Sequence, residues 1–226
     1  MIEGLLFDLD GVIIDSGADI AGAVQHTLEL FHQPVLTMDE IIDYVGDGAS
    51  ALIRRSFKYA APDLIEKALP VYLEYYYAHS LIETRLYPHV KATLKNLRRT
   101  RPGLEMAVVT NKPEAVSVKI LTGLGVMDYF DRIIGPESVH RLKPDPEGIL
   151  MMLQKWSVPP GQAIMIGDSH TDIQAGKAAG TITCGVTYGL GDKTALMEAR
   201  ADYMIDDLAQ LLELIDGFSM SGGRGF

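Results

Sequence analysis

Apolar residues fall into two kinds of pattern along this chain. The first is a set of short, mainly apolar runs bounded by turn residues. These are Leu5-Leu6-Phe7, then residues 105–110, 131–135, 163–168 and 181–187, with a weaker run at 201–205. Runs of this length without polar alternation predict strands buried on both faces. The second pattern is an apolar stripe at helical spacing. Val90, Leu94 and Leu97 form one over residues 88–99, stopped by Arg101-Pro102-Gly103. Val116, Ile120 and Leu124 form another over 113–124, with Pro113 at the expected first helical position. Asp145-Pro146 reads as a cap and first residue ahead of Ile149, Leu150 and Leu153, and residues 171–179 form a helix that Gly180 ends. From residue 82 onward strand and helix alternate, which predicts parallel βα units in a doubly wound, Rossmann-like α/β sheet.

Residues 16–81 break that alternation, because helical stripes follow one another with no strand between. Ile20, Val24, Leu28 and Phe31 form the first, and Ile41 and Val45 the second, with Thr37 and Glu40 at capping-box spacing. Leu64, Ala68, Val71, Tyr72 and Tyr75 form the third, which Pro70 is expected to kink or divide. The pattern predicts a helical domain, residues 16–81, inserted into an α/β core made of residues 1–15 and 82–218. The Gly- and Ser-rich residues 219–226 are expected to be disordered.

Composition narrows the function classes. The 226 residues are 47% hydrophobic, enough for a packed core. A formal net charge of −10, from 30 acids against 20 bases, disfavours a nucleic-acid partner, although a small anionic substrate needs only local cations. Cys184 is the single cysteine, so no intrachain disulfide framework is possible. No basic leader precedes Asp8, and no apolar run nears the ~20 residues that span a bilayer. The expectation is a soluble cytoplasmic protein with no membrane partner; monomer and homodimer both stay open.

Chemistry is concentrated where the apolar runs end. Asp8 and Asp10 follow the first run, at the sheet edge where open α/β folds bind ligands. Asp-Gly is also an ordinary turn signal, but two carboxylates beside an apolar strand call for a compensating cation, and Mg²⁺ suits oxygen ligands. Asp168 leaves a second run and Asp172 lies one helical turn on, so both can face one point. Asp168 or Ser169 also fits as a simple helix cap. Thr110 and Asn111 end a third run and offer hydrogen bonds to phosphoryl oxygens. Lys143 follows a fourth, in a loop that Pro144 and Pro146 restrict. Together these supply carboxylates for a metal, a hydroxyl donor and a cation, which a phosphoryl-transfer site requires.

The motifs Asp8-Leu9-Asp10-Gly11-Val12, Thr110-Asn111, Lys143-Pro144 and Gly167-Asp168-Ser169-His170-Thr171-Asp172 resemble, in this order, those of the haloacid dehalogenase-like superfamily. The resemblance covers nearly the whole chain, and the helical insertion is similar to the family's small α-helical cap. It implies that Asp8 attacks phosphorus and carries an aspartyl-phosphate, and that Asp10 protonates the leaving oxygen and later activates water. It implies that Thr110, with Asn111 beside it, donates to the phosphoryl group, and that Lys143 offsets negative charge around Asp8. Mg²⁺ is expected on Asp8, Asp168 and the backbone carbonyl of Asp10, with Asp172 orienting ligands from outside. An acid at Asp10 favours phosphate over halide chemistry, because halide leaves without a proton.

Substrate choice is expected in the cap. Val45-Gly46-Asp47-Gly48-Ala49-Ser50 and Asp15-Ser16 resemble the corresponding segments of phosphoglycolate phosphatases. Gly46, Asp47 and Gly48 are therefore candidates to meet a small ligand, and Arg54 or Arg55 to meet a substrate carboxylate. The leading expectation is hydrolysis of a small phosphorylated metabolite, 2-phosphoglycolate first. A phosphosugar mutase similar to β-phosphoglucomutase and a pyrophosphatase are alternatives, and a phosphoaspartate receiver module is a more distant one. Cys184 reads as packing, Tyr75-Tyr76-Tyr77 as an amphipathic helix face, and the histidines form no metal-ligand spacing.

Overall fold

In a computed structural model that describes residues 1–58 and 60–221, the chain opens with strand β1 (Gly4–Phe7) and a short strand β2 (Ile14–Asp15). Helices α1 (Gly17–Leu30), α2 (Met38–Ile42), α3 (Ala49–Ser56) and α4 (Pro62–His79) follow. Strand β3 (Arg85–Leu86) then pairs antiparallel with β2. Alternation begins with α5 (Val90–Thr100), β4 (Glu105–Val109), α6 (Glu114–Gly123), β5 (Arg132–Ile134) and α7 (Glu147–Trp156). It ends with β6 (Ala163–Gly167), α8 (His170–Ala179), β7 (Ile182–Val186), α9 (Lys193–Glu198), β8 (Tyr203–Ile205) and α10 (Gln210–Ser221).

Six parallel strands form one sheet in the order β5-β4-β1-β6-β7-β8, which is the α/β class that the apolar runs predict. β1 lies fully buried between two neighbours, and its side chains alternate between the sheet faces. Leu5 and Phe7 pack into one layer with Leu94, Leu97 and Ile120. Leu6 packs into the other with Ile149, Met152 and Met165. Sheet order grows from β1 toward β4 and β5, then crosses back to β6 on β1's other side. That reversal opens a crevice at the carboxyl ends of β1, β4 and β6. The register places Phe7 opposite both Val108 and Ile166, so the residues that follow these strands emerge together.

Helices α1 to α4 occupy the stretch between β2 and β3. The Thr37–Glu40 capping box forms at the start of α2. α4 runs undivided through Pro70, so of the expected kink or division the division does not occur. Pro70 and Glu66 are exposed, so the carbonyl that proline leaves without a donor lies on the solvent side of the helix, while buried Ala68, Tyr72 and Tyr76 hold the opposite face. The hydroxyl and backbone N–H groups of Thr84, with the N–H groups of Ile82 and Glu83, donate to buried Asp19 at 2.8–3.1 Å. This ties α1 to the chain returning from α4. The C-terminal helix α10 reaches Ser221, three residues into the stretch expected to be disordered, because its apolar face docks Leu211 and Ile215 into the core. Residues 222–226 lie outside the described residues. No helix among the described residues is long and apolar enough to cross a membrane.

Candidate active site

Asp8 directly continues β1. Its N–H donates to Ile166 O at 2.9 Å, so the ladder persists one residue beyond the strand and aims the side chain into the crevice. Gly11 then turns the chain with φ +84, pressed against the end of β6. A Cβ at Gly11 would lie 1.8 Å from Asp168 Oδ2, so glycine is required there on both counts.

Lys143 Nζ sits at the centre of the charged cluster. It donates to Asp8 Oδ1 at 2.7 Å, Asp172 Oδ1 at 2.6 Å and Val109 O at 2.8 Å, which uses all three ammonium protons. Burial lowers its pKa, but the Asp172 and Asp8 charges more than offset that, so it remains protonated. Asp172 also closes a capping box at the start of α8, its Oδ2 accepting from Ser169 N and Oγ. Ser169 is thus the cap, and Asp172 is held at both oxygens.

Asp8, Asp168 and Asp172 are all buried, and a carboxylate oxygen of each lies within 4.8 Å of the others. Asp168 Oδ2 accepts from Leu190 N and Gly191 N at 2.7 and 2.9 Å. Burial raises the Asp8 pKa to about 6 against the opposing pull of Lys143, with Asp172 adding to the rise. Asp168 is raised well above the usual carboxylate range, first by burial and then by Asp172 and Asp8. One lysine therefore leaves the cluster short of positive charge. Asp8 Oδ2 and Asp168 Oδ1 have no protein donor among the described residues, and both residues line the pocket. An all-oxygen, hard donor set with excess negative charge fits a divalent cation.

Asp10 belongs to a separate network. Ser16 Oγ donates to its Oδ1 at 2.5 Å, and Lys112 Nζ donates to Oδ1 and Oδ2 at 2.8 and 3.1 Å. The same ammonium contacts the Tyr76 hydroxyl from α4 and lies 4.5 Å from the centre of that ring. This pocket between the strand ends and helices α1, α3 and α4 is open, and the space in it counted out into solvent is about 660 Å³.

The remaining candidates separate. Thr110 is buried on the pocket wall, and its Oγ1 accepts from Lys112 N at 3.2 Å, leaving the hydroxyl proton available. Asn111 does not aim its amide at the pocket centre as a free donor. Its Nδ2 donates to Gly46 O and Lys143 O at 2.9 and 3.1 Å and its Oδ1 accepts from Lys143 N at 3.0 Å, so it fastens two loops together. Gly46 and Gly48 line the pocket, both at positive φ. Asp47 and Arg54 are absent from its wall. Asp47 instead pairs with Arg55 at 2.5 Å, Arg55 also donates to Tyr44 O, and Arg54 is exposed. Helical geometry turns both arginines to solvent while Leu52 and Ile53 of α3 face inward. His170 is exposed, and Cys184 is buried in β7 with its thiol pushed up to about 12 by burial.

Sequence reasoning missed Lys112 and Tyr76. Lys112 stands beside Thr110-Asn111 and was visible there, but surface lysines are common. Tyr76 belongs to the face read as amphipathic packing, and no local signal separates it from Tyr75 or Tyr77.

Comparison with known proteins bears on the family and the fold. The family model for haloacid dehalogenase-like hydrolases matches residues 5–186. A phosphoglycolate phosphatase of Neisseria meningitidis is 36% identical over 94% of this chain and 93% of its own length. One from Pseudomonas putida is 38% identical over 92% of this chain and 78% of its own. A crystal structure from Haemophilus somnus, described as a predicted phosphoglycolate phosphatase, superposes with a TM-score of 0.90 at 29% identity, covering 95% of this chain and 98% of that one. By its motifs, its sheet and these matches, the chain belongs to the haloacid dehalogenase-like hydrolase family.

Proposed function

We propose that this protein is a Mg²⁺-dependent phosphomonoester hydrolase that forms an aspartyl-phosphate on Asp8, with 2-phosphoglycolate as its substrate. The observation that carries the mechanism is the state of Asp8. One oxygen is held by Lys143 and the other is open to the pocket, beside a second carboxylate that belongs to a different network. The substrate is suggested by relatives that match over 92–94% of this chain and carry the name phosphoglycolate phosphatase.

In the first step the Asp8 carboxylate attacks phosphorus in line, the ester P–O bond breaks, and Asp10, which must enter this step protonated, transfers that proton to the departing alkoxide. In the second, Asp10 takes a proton from water as that water attacks phosphorus. The P–O bond to Asp8 breaks, phosphate leaves, and both carboxyl groups return to their starting states. Lys143 keeps the bound oxygen of Asp8 fixed and balances charge there, while the Thr110 hydroxyl donates to a phosphoryl oxygen. Asp8 and Asp168, with the Asp10 backbone carbonyl, would hold Mg²⁺, whose charge offsets repulsion between an anionic nucleophile and an anionic ester. Asp172, already engaged at both oxygens, would fix Lys143 and the α8 terminus.

The test is phosphate release from a panel of phosphomonoesters, with and without Mg²⁺, for the wild type and Asp8→Asn. The reading expects Mg²⁺-dependent release, highest for 2-phosphoglycolate, and none from Asp8→Asn. An active Asp8→Asn protein would refute the nucleophile. Isomerised sugar phosphate in place of free phosphate would assign a mutase instead.

A further inference from the structure

A substrate with a phosphoryl group at Asp8 and a second anionic group needs a cation elsewhere in the same pocket. Among the described residues lining that pocket, Lys112 is the one cation; Lys143 is absent from its wall. Lys112 shares its protons between the two oxygens of Asp10 and the Tyr76 hydroxyl, so a substrate carboxylate would have to displace one of these acceptors. The two arginines of α3 do not reach the pocket. The wall contributed by the helical segment is largely apolar, including Ile20, Val45, Leu52 and Leu73, and would repel a carboxylate.

The geometry points to Lys112, with the Tyr76 hydroxyl beside it, as the group that reads the carboxylate of a small phosphorylated acid. This rests on the reading of Asp8 as the phosphoryl acceptor. Lys112 is buried, so its charge acts through little water, and it is pinned between Asp10 of the core and Tyr76 of α4. Burial also holds the Tyr76 phenol protonated, its pKa raised far beyond neutrality, so the hydroxyl remains a donor. A short carboxylate on the leaving group meets this pair while its ester oxygen faces Asp10, because both belong to one network. A longer or uncharged leaving group meets the apolar wall and leaves the cation unmatched. Selectivity for a two-carbon acid would then come from the core motif Thr110-Asn111-Lys112 and one helix residue.

The experiment compares kcat/KM for 2-phosphoglycolate and for ethyl phosphate, which keeps the two-carbon alkyl ester and lacks the carboxylate. Lys112→Met is expected to slow both, because Asp10 loses a clamp, and to reduce the ratio of the two by about 10- to 100-fold. Lys112→Arg should recover part of the ratio, and Tyr76→Phe should reduce it less than Lys112→Met does. Turnover of ethyl phosphate and the melting temperature report that each variant is folded. An equal loss on both esters, with the ratio unchanged, would overturn the proposal and leave Lys112 as a positioning residue for Asp10. A wild type that hydrolyses both esters without preferring the acid would overturn the substrate reading and this proposal together. The first failure leaves the wild-type preference intact, so the two are distinguishable.

Discussion

Lys143 Nζ lies 2.6 Å from Asp172 Oδ1, and the Asp172 side chain has no exposed surface at all. The contact joins the loop before α7 to the first turn of α8, and Lys143 reaches Asp8 from the same point. With its third contact, to Val109 O, one ammonium ties the ends of β1 and β4 to the first turn of α8.

Replacing that ammonium has a definite cost. Lys143→Met leaves two buried carboxylates without their partner, and loss of one side of a buried pair costs about 3–5 kcal/mol. Urea denaturation of the metal-free protein should show a fall of that size together with loss of phosphatase activity. A stability change within about 0.5 kcal/mol, the usual range for surface substitutions, would mean that the pair is not buried in solution.

The carboxylate cluster gives stability a pH dependence. Asp8 titrates at about 6 when folded, above its unfolded value, so its contribution is fully present below the unfolded pKa and is lost as pH rises through about 6. Asp168 shifts in the same direction. The metal-free protein is therefore penalised near neutral pH, where a divalent cation has most to offset. Added Mg²⁺ should raise the melting temperature more near pH 7.5 than near pH 5, and EDTA should reverse the effect. Equal shifts at both pH values would contradict a site built on these two acids.

Gly167 tests how tightly Asp172 is placed. A Cβ there would lie 2.1 Å from Asp172 Cβ, a contact that no flexible tip relieves. Gly167→Ala should move Asp172 away from Lys143, destabilise the protein by about 1–3 kcal/mol and lower kcat. Gly103→Ala, where an added Cβ meets nothing within 4 Å, is the control and should change neither. Wild-type activity in Gly167→Ala would show that the Asp172–Lys143 contact is dispensable.

The legible part of the site was the part encoded locally. Asp8 continues a strand whose apolar run is visible, and Asp168 does the same for β6, so their shared edge follows from parallel pairing alone. Asp172 stands four residues beyond Asp168, and helical periodicity supplied its direction. Arg54 shows where this reasoning fails. A cation shortly after a glycine-rich loop looks apt for a carboxylate, but the helix phase set by Leu52 and Ile53 turns it outward. Asn111 likewise carries the right chemistry and spends it on Gly46 and Lys143, which no spacing reveals.

What the sequence by itself determined was the alternation of strands and helices, the helical stretch between residues 16 and 81, and the acids and lysine at the strand ends. These depend on periodicity and on residue type, which are local properties. Only the tertiary structure decided that Lys143 serves Asp8 and Asp172 together, that Asp168 keeps an open oxygen, and that Lys112 meets both Asp10 and Tyr76. Those contacts join residues 29 to 135 positions apart. Their existence depends on sheet order and helix phase, which are set by packing across the whole molecule rather than by any neighbour in the chain.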